Sequence, residues 1–165
     1  MNGQVRERKK ERSRVSVTTD MSEGLCIGCG QNNPFGLKLS FKWDGKTARA
    51  EYTPHKFHQG WPNIVHGGII TTMLDDAMGN ATVFSGFSDF LTANIQVNFK
   101  RPALVGEPLV ITASLTRRKG KFIWVKADVS LPDGTLVAEG KATQVLVRTN
   151  SDDTSSKEEK SQLDV

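Results

Sequence analysis

The amino-acid sequence predicts an α+β domain in which one long central helix is wrapped by a curved antiparallel sheet of about six strands. Three observations support this fold class. An apolar pattern with the helical period runs from Ile69 to Phe84. Short segments with the alternating pattern of strands precede and follow it. Segments rich in Gly, Pro and Asp separate these elements, as expected of turns.

Six segments carry the strand pattern. Before the helix, the segments 37–43 and 47–53 flank an Asp44-Gly45 turn and predict a hairpin. A loop rich in turn formers then leads to the helix. After the helix, four strands are predicted at 92–100, 108–118, 121–131 and 135–147.

The helix has two faces of different character. One face is a core stripe, since at 100° per residue its large apolar members fall within about 140° of arc. The opposite face carries small residues apart from Asp75, and Asp75 and Asp76 are the only charges between Ile64 and Phe87. Because a surface helix would carry Lys and Glu, we expect a second subunit or element to cover the small face. The core stripe comprises Ile69, Ile70, Met73, Leu74, Ala77, Ala81 and Phe84, and the small face comprises Thr71, Thr72, Asp75, Gly79 and Thr82.

The length of 165 residues suits one domain with additional tails. We place the domain at residues 23–147, a disordered basic tail at 1–22 and a disordered polar tail at 148–165. No apolar run reaches the roughly 20 residues that span a bilayer, and the first residues lack the apolar segment of a secretory signal. We therefore expect a cytoplasmic protein that does not bind membranes.

The positive net charge is concentrated in the first tail. Residues 1–14 hold six basic and two acidic side chains, so they account for +4, which equals the net charge of the whole chain. Such an arm could contact an anionic polymer or surface. No aromatic residues lie between its charges, so stacking on bases has no support. We expect a solvated tail and no nucleic-acid partner.

The sequence His66-Gly67-Gly68 opens the helix, and Asp75 follows nine residues after the histidine. A helix start presents unpaired N–H groups, and glycines let an acyl group approach them closely. Such donors suit a thioester carbonyl whose oxygen becomes negative during attack, while Asp75 could be a nucleophile or a general base. A plain turn and N-cap is the structural alternative for the histidine and glycines. Asp76 borders the core stripe, so we expect a loop or His66 to satisfy it.

Three segments of this sequence resemble the hotdog-fold acyl-CoA thioesterases of the phenylacetate-degradation (PaaI-like) type. They are CIGCGQNNPFGLKLSF, HGGIITTMLDDAMG and LTANIQVNFKRPALVGEPL, and the resemblance covers residues 25–147. It implies a hotdog fold and hydrolysis of an acyl-CoA thioester to a free carboxylic acid and CoA. It also implies a homodimer, with a homotetramer as the alternative, whose subunits share the active site. No cofactor is implied, because coenzyme A is part of the substrate.

The resemblance also implies roles for individual residues. Gly68, together with Gly67, would donate backbone N–H groups to the thioester oxygen. His66 would orient the thioester or the helix start, and Asp75 would be the base or nucleophile. Thr92 matches a hydroxyl that some members use to hold the attacking water.

One position departs from the family pattern. Several relatives have an asparagine six residues before the histidine, where this chain has Gly60. We expect Gln59 or Asn63 to take its place in polarising the carbonyl. Trp61, in the same loop, is a candidate for the acyl pocket.

The phosphates of CoA require cations. Basic residues at the strand ends and turns are candidates, namely Arg101, Arg118 and Lys119, although basic residues in turns are often only solvated.

Cys26 and Cys29 form a C-x2-C pair, which we expect to lie in an ordinary turn without a metal. Two alternatives stay open. One is a structural zinc site completed by His55 and His58, although the spacing does not match a zinc finger. The other is a redox-active dithiol.

Two further functions are compatible with the predicted fold. A dehydratase or hydratase would pair a histidine such as His58 with Asp75, although the Asn-Pro-Ile-His segment of that class is absent from the sequence. A non-catalytic acyl-CoA-binding regulator would grip DNA with a helix-turn-helix, for which residues 1–24 are too short and too polar.

Overall fold

The computed structural model describes residues 24–147, so both predicted tails lie outside the described residues and the domain boundaries stay predictions. The elements in chain order are β1 (Lys42–Trp43), β2 (Ala48–Tyr52), a short 3-10 helix (Lys56–His58), α1 (Gly67–Phe84), β3 (Phe90–Phe99), β4 (Leu109–Lys119), β5 (Phe122–Ser130) and β6 (Leu136–Leu146).

The six strands form one antiparallel sheet in the order β1-β2-β4-β5-β6-β3. Helix α1 packs across this sheet and contacts β2 to β6. After the helix, the chain forms β3 at one edge of the sheet and then β4 in its middle, between β2 and β5. The predicted architecture of one long helix against a six-stranded antiparallel sheet is confirmed. Within residues 24–147, no helix is both long and apolar enough to cross a bilayer.

The buried face of α1 follows the predicted core stripe over most of its length. Phe84 is an exception, since it is 39% exposed and stacks on Trp43 with ring centroids 5.6 Å apart. The assignment of Thr82 to the small face is wrong: Thr82 is fully buried, and its hydroxyl donates to Oε1 of the buried Gln144 on β6. The last turns of the helix are therefore covered by β6 of the same chain on the side that the sequence pattern assigned to the small face, for which a second subunit or element was the expected cover. The buried helix residues are Ile70, Met73, Leu74, Ala77, Met78, Ala81 and Thr82.

The first strand is shorter than the predicted segment 37–43. Leu37 N–H donates to the carbonyl of Ile27 at 2.8 Å, and Leu39 N–H donates to the carbonyl of Gly28 at 2.9 Å. These two N–H groups pair with the cysteine-containing loop, and only the last two residues of the segment pair with β2 and form β1. Both leucine side chains are buried, so this pairing ties the cysteine loop to the core.

The buried pair of Thr82 and Gln144 leads to a stability prediction. Thr82→Val should lower the free energy of unfolding by about 1–3 kcal/mol, because Gln144 Oε1 would be buried without its donor. The Nε2 atom of Gln144 already lacks a hydrogen-bond partner among the described residues, so the amide has no alternative contact nearby. Urea unfolding followed by circular dichroism measures the change.

The double variant Thr82→Val/Gln144→Leu is the matched control. Replacing both partners by apolar side chains leaves no buried polar atom unpaired, so most of the lost stability should return. A double variant as unstable as Thr82→Val alone would contradict this account of the buried pair.

Candidate active site

His66 caps the start of helix α1. Its Nδ1 atom accepts a hydrogen bond from Gly68 N–H at 2.9 Å. Its carbonyl oxygen accepts from Ile69 N–H at 2.9 Å and from Ile70 N–H at 3.2 Å. Of the four N–H groups that a helix start leaves without an intrahelical partner, only that of Gly67 has no acceptor among residues 24–147.

This arrangement determines which of the two glycine N–H groups is available as a donor. Gly68 was expected to be the main donor to a thioester oxygen, but its N–H group is already bound by His66 Nδ1. Gly67 therefore presents the available backbone donor. Since Nδ1 of His66 acts as an acceptor, the proton of the neutral ring lies on Nε2, which is a second donor at the same helix start.

The glycines around this helix start leave room that side chains would occupy. A Cβ atom at Gly67 would lie 3.3 Å from Cζ of Phe99, and a Cβ atom at Gly60 would lie 3.0 Å from Cδ2 of His66. The glycine at position 60, where several relatives have asparagine, therefore leaves space for the His66 ring, which a larger side chain would crowd.

The two proposed substitutes for the missing asparagine behave differently. Gln59 Oε1 accepts a hydrogen bond from the backbone N–H of Asn63 at 3.2 Å, so Gln59 shapes the loop. Asn63 itself has a positive φ of 64° and an exposed side chain. The side-chain amide of Asn63, unlike that of Gln59, forms no hydrogen bond within this loop.

A cleft of about 390 Å³ lies beside the helix start. Trp61 lines it and is 77% exposed, so a large apolar ring lies next to the backbone donor. The structure therefore brings the predicted acyl-pocket residue to the cleft. The lining residues are Gly60, Trp61, Val65, His66 and Gly67.

Asp75 and Thr92, which are 17 positions apart, meet in the structure. The Thr92 hydroxyl donates to Asp75 Oδ1 at 3.0 Å. Thr92 lies where the pairing of β3 with β6 shifts by a residue, and such bulges interrupt the regular alternation of side chains. Asp75 is half-buried and forms no ion pair with any residue of the described range. The carboxylate is therefore held by a hydroxyl and not neutralised by a cation.

The two halves of the predicted site are separated within one chain. Asp75 follows Gly67 by eight residues on the same helix, which corresponds to about 12 Å along the helix axis. A single carbonyl group cannot contact both the Gly67 N–H and a water held by Asp75 across that distance.

Comparison with known proteins supports a thioesterase fold for this arrangement. Residues 62–138, which contain the helix start, Asp75 and Thr92, match the model of the thioesterase superfamily. This match spans a little under half of the chain. The chain is 32% identical over 139 residues to the bovine acyl-coenzyme A thioesterase THEM4, which covers 84% of this chain and 54% of that protein. The chain thus spans about half of the length of this relative.

Solved structures of thioesterase-related proteins show the same fold as this chain. A thioesterase superfamily protein with 24% identity aligns with a TM-score of 0.71 over 81% of this chain and 68% of its own. A phenylacetic acid degradation-related protein from Ralstonia eutropha with 28% identity aligns with a TM-score of 0.59 over 67% of this chain and 86% of its own. The predicted resemblance to hotdog-fold thioesterases is confirmed.

The predicted phosphate-binding cations lie at opposite ends of helix α1. Arg101 follows β3 two residues after Phe99, whose ring lies against Gly67 at the helix start. Arg118 lies over the ring of Phe87, just beyond the end of the helix, at 4.9 Å from its centroid. Lys119 adjoins Arg118, and all three cations are exposed. None of the three cations lines the cleft, and Arg101 is the one whose chain segment follows Phe99 at the helix start.

A cluster that sequence patterns did not predict lies between the cysteine loop and helix α1. The sulfur atoms of Cys26 and Cys29 and a carboxylate oxygen of Asp76 all lie within 4.8 Å of one another. Burial, followed by the negative charge of Asp76, raises the pKa of Cys29 to about 12. Burial also raises the pKa of Asp76. The expectation that a loop or His66 would satisfy Asp76 is met only in part, because the cysteine loop supplies a donor to Oδ1 while Oδ2 has no partner among the described residues.

The histidines of the alternative zinc site are used elsewhere. His58 Nδ1 is 3.0 Å from the Tyr52 hydroxyl oxygen and accepts from His55 N–H at 3.1 Å. Neither histidine belongs to the cysteine cluster. Burial, together with repulsion by His55, lowers the pKa of His58.

The lowered pKa of His58 predicts a pH dependence of stability. Because folding favours the neutral ring, the stability from this contact is present above the pKa of an unfolded histidine and is lost as the pH falls through the lower pKa of the folded state. We expect NMR titration to find His58 below the usual histidine range of about 6.5.

His55→Gln provides the check on the cause. Removing the neighbouring charge should raise the pKa of His58 only part of the way, since burial is the larger effect. A His58 pKa at or above the ordinary histidine value in the native protein would contradict the described contacts.

Proposed function

We propose that this chain is an acyl-CoA thioesterase, which hydrolyses the thioester of an acyl-CoA to a free carboxylic acid and CoA without a further cofactor. The observation that carries the proposal is the Asp75 carboxylate, held by the Thr92 hydroxyl at 3.0 Å on a helix face otherwise free of charged side chains. A half-buried carboxylate without a cation is poised to accept a proton or to attack an electrophile. The similarity to bovine THEM4, an acyl-coenzyme A thioesterase, supports the choice of substrate class.

The chemistry needs two groups besides the substrate and water. The thioester oxygen accepts a hydrogen bond from Gly67 N–H, which stabilises the negative charge that develops during attack. In the general-base route, Asp75 removes a proton from a water held with Thr92 while the water oxygen bonds to the carbonyl carbon. The carbon–sulfur bond then breaks, and the CoA sulfur leaves with the proton returned from Asp75. In the nucleophilic route, an Asp75 oxygen bonds to the carbonyl carbon, the carbon–sulfur bond breaks and the CoA thiolate leaves. Water then hydrolyses the anhydride to the free acid and restores Asp75, and the thiolate takes up the proton released from water.

The separation along the helix implies that the active site is shared by two subunits. Because about 12 Å divides Gly67 from Asp75, the carboxylate that serves one Gly67 must come from another copy of the chain. A homodimer is therefore the smallest active unit, and a homotetramer of two such dimers is the alternative.

The edge strand β3 is the surface that such a dimer would use. It lies at the end of the sheet, so one row of its backbone groups is available for pairing. It carries Thr92 together with the exposed apolar side chains of Leu91, 49% exposed, and Phe99, 56% exposed. Pairing through β3 would cover these side chains and the half-buried small face of α1.

The substrate-binding residues are proposed on position and chemistry. Trp61 is a wall for the acyl group, and Asn63 is a polar group beside the cleft. Arg101 is the candidate for CoA phosphates at this end of the domain. Arg118 and Lys119 could contact CoA only if the bound molecule reaches the opposite end of the helix.

The two alternative functions have less support. His58 lies at the helix start, where its carbonyl accepts from His66 N–H, and its Nδ1 is occupied. It is therefore more than two helical turns from Asp75 and poorly placed for a hydratase within one chain. The basic arm of a DNA-binding regulator lies outside the described residues. A cytoplasmic location stays a prediction.

Loss of the Asp75 carboxylate should abolish most turnover. Asp75→Asn is expected to lower kcat by about 10²–10⁴-fold, because an amide neither accepts the proton of water nor attacks. Thiol release from a panel of acyl-CoA substrates measures the rate, and thermal unfolding checks that the fold is intact. Asp128→Asn, on β5, is the matched control and should retain the native rate.

Two Thr92 variants refine the same experiment. Thr92→Ser keeps a hydroxyl and should retain most activity. Thr92→Val removes the hydroxyl and should lower kcat by a larger factor than it changes KM. Native activity in Asp75→Asn across the whole panel would rule out the proposed role of this carboxylate.

A mixing experiment tests the shared site. Asp75→Asn lacks the carboxylate, and Gly67→Val blocks approach to the backbone donor, so each homodimer should be inactive. Co-expressed in equal amounts, they should recover about one quarter of native activity, because half of the dimers are mixed and each mixed dimer has one intact site. Absence of recovery, with mixed dimers demonstrated by differential tags, would show that each chain acts alone.

A further inference from the structure

The loop that contains Cys26 and Cys29 packs directly against helix α1 at Asp76. The Cys26 thiol donates to Asp76 Oδ1 at 3.5 Å. The Cys29 sulfur lies in the same cluster, within 4.8 Å of the other two ligand atoms. Three groups that bind metals as anions therefore meet although about 50 residues of chain separate the loop from the helix.

The loop is folded tightly around the two sulfur atoms. Gly28 N–H donates to Cys26 Sγ at 3.3 Å, and Gly30 N–H donates to the Cys26 carbonyl at 3.0 Å. Hydrogen bonds from backbone N–H groups stabilise a thiolate that binds a metal. The N–H···S contact thus supplies the outer support that a metal-binding thiolate requires.

Two glycines are required for this packing. A Cβ atom at Gly28 would lie 2.4 Å from Asp76 Cγ, and a Cβ atom at Gly30 would lie 2.4 Å from Cys26 N. No larger residue fits at either position without moving backbone or the carboxylate. The loop therefore approaches Asp76 as closely as its backbone allows.

The carboxylate has an unsatisfied oxygen. Asp76 Oδ2 is buried and has no hydrogen-bond partner among the described residues. A buried carboxylate oxygen without a partner is unfavourable. A cation bound between this carboxylate and the sulfur atoms would remove that cost.

We propose that Cys26, Cys29 and Asp76 bind one zinc ion, with water as the fourth ligand. Thiolate ligands favour zinc over magnesium or calcium. With Zn–S near 2.3 Å and Zn–O near 2.0–2.2 Å, tetrahedral ligand atoms lie about 3.5–3.8 Å apart. The 3.5 Å contact between Cys26 and Asp76 already has this spacing, and the remaining separations need a contraction of about 1 Å at most. Binding displaces one proton from each thiol, so two thiolates, one carboxylate and Zn²⁺ together carry a charge of −1.

The ion would act as a structural tether for the catalytic helix. The same loop pairs with Leu37 and Leu39 through backbone hydrogen bonds, and Asp76 follows Asp75 directly on α1. Zinc would therefore connect the first described segment to the helix turn that presents the carboxylate. This site differs from the alternative with His55 and His58 and revises the expectation of metal-free turn cysteines.

Metal analysis of the full chain tests the site without reference to catalysis. The protein is purified with a reductant, stripped of metal with a chelator and dialysed against zinc. Elemental mass spectrometry then measures the zinc content per chain. We expect about one zinc ion per chain in the native protein. Cys26→Ser, Cys29→Ser and Asp76→Asn should each weaken zinc binding at least about tenfold. Asp75→Asn is the matched control, because this adjacent carboxylate lies outside the cluster, and it should bind zinc as the native protein does.

Cobalt binding to the native protein keeps the test independent of whether the variants fold. Co²⁺ in the same site should give thiolate-to-metal charge-transfer absorption, and added zinc should remove that absorption. Absence of both zinc retention and the cobalt signal in reduced protein would overturn the proposal. A Cys26–Cys29 disulfide that persists in reductant, or equal zinc content in the Asp76→Asn and native proteins, would also overturn it.

Discussion

The rigidity of helix α1 is the constraint on which the rest of the molecule depends. The helix fixes the free Gly67 N–H at one end and Asp75 about 12 Å further along, so neither side-chain rotation nor loop movement can bring the two together. The proposed thioester hydrolysis would therefore need a second copy of the chain. Strand β3, which carries Thr92, is an edge strand of the sheet and is the surface proposed for that pairing.

The elements were predictable because their patterns are local. Alternating β-branched residues define β4 to β6, and the apolar stripe defines α1. The prediction failed where partners are distant in sequence. Residues 37–41 have the alternation of a strand, but their backbone groups pair with the cysteine loop. Thr82 is small and polar, and its burial depends on Gln144, 62 residues away.

The candidate site shows the same limit at a finer scale. The sequence indicated a helix start rich in free N–H groups and Asp75 as a base or nucleophile, and the family resemblance added Thr92 as a hydroxyl that holds water. The structure joins Asp75 and Thr92 directly. Which glycine is free could not be predicted, because it depends on the rotamer of His66. That rotamer in turn depends on the absence of a side chain at Gly60. The choice of donor is thus made by packing and not by the motif.

The adjacent acids Asp75 and Asp76 show why a short motif can serve two purposes. Successive helix residues project about 100° apart, so one carboxylate faces Thr92 and the other faces Cys26. They are not independent, since the charge of Asp75 contributes to the raised pKa of Asp76, after the larger effect of burial. Two ionised carboxylates this close repel each other. A cation beside Asp76 would offset the repulsion between these adjacent carboxylates.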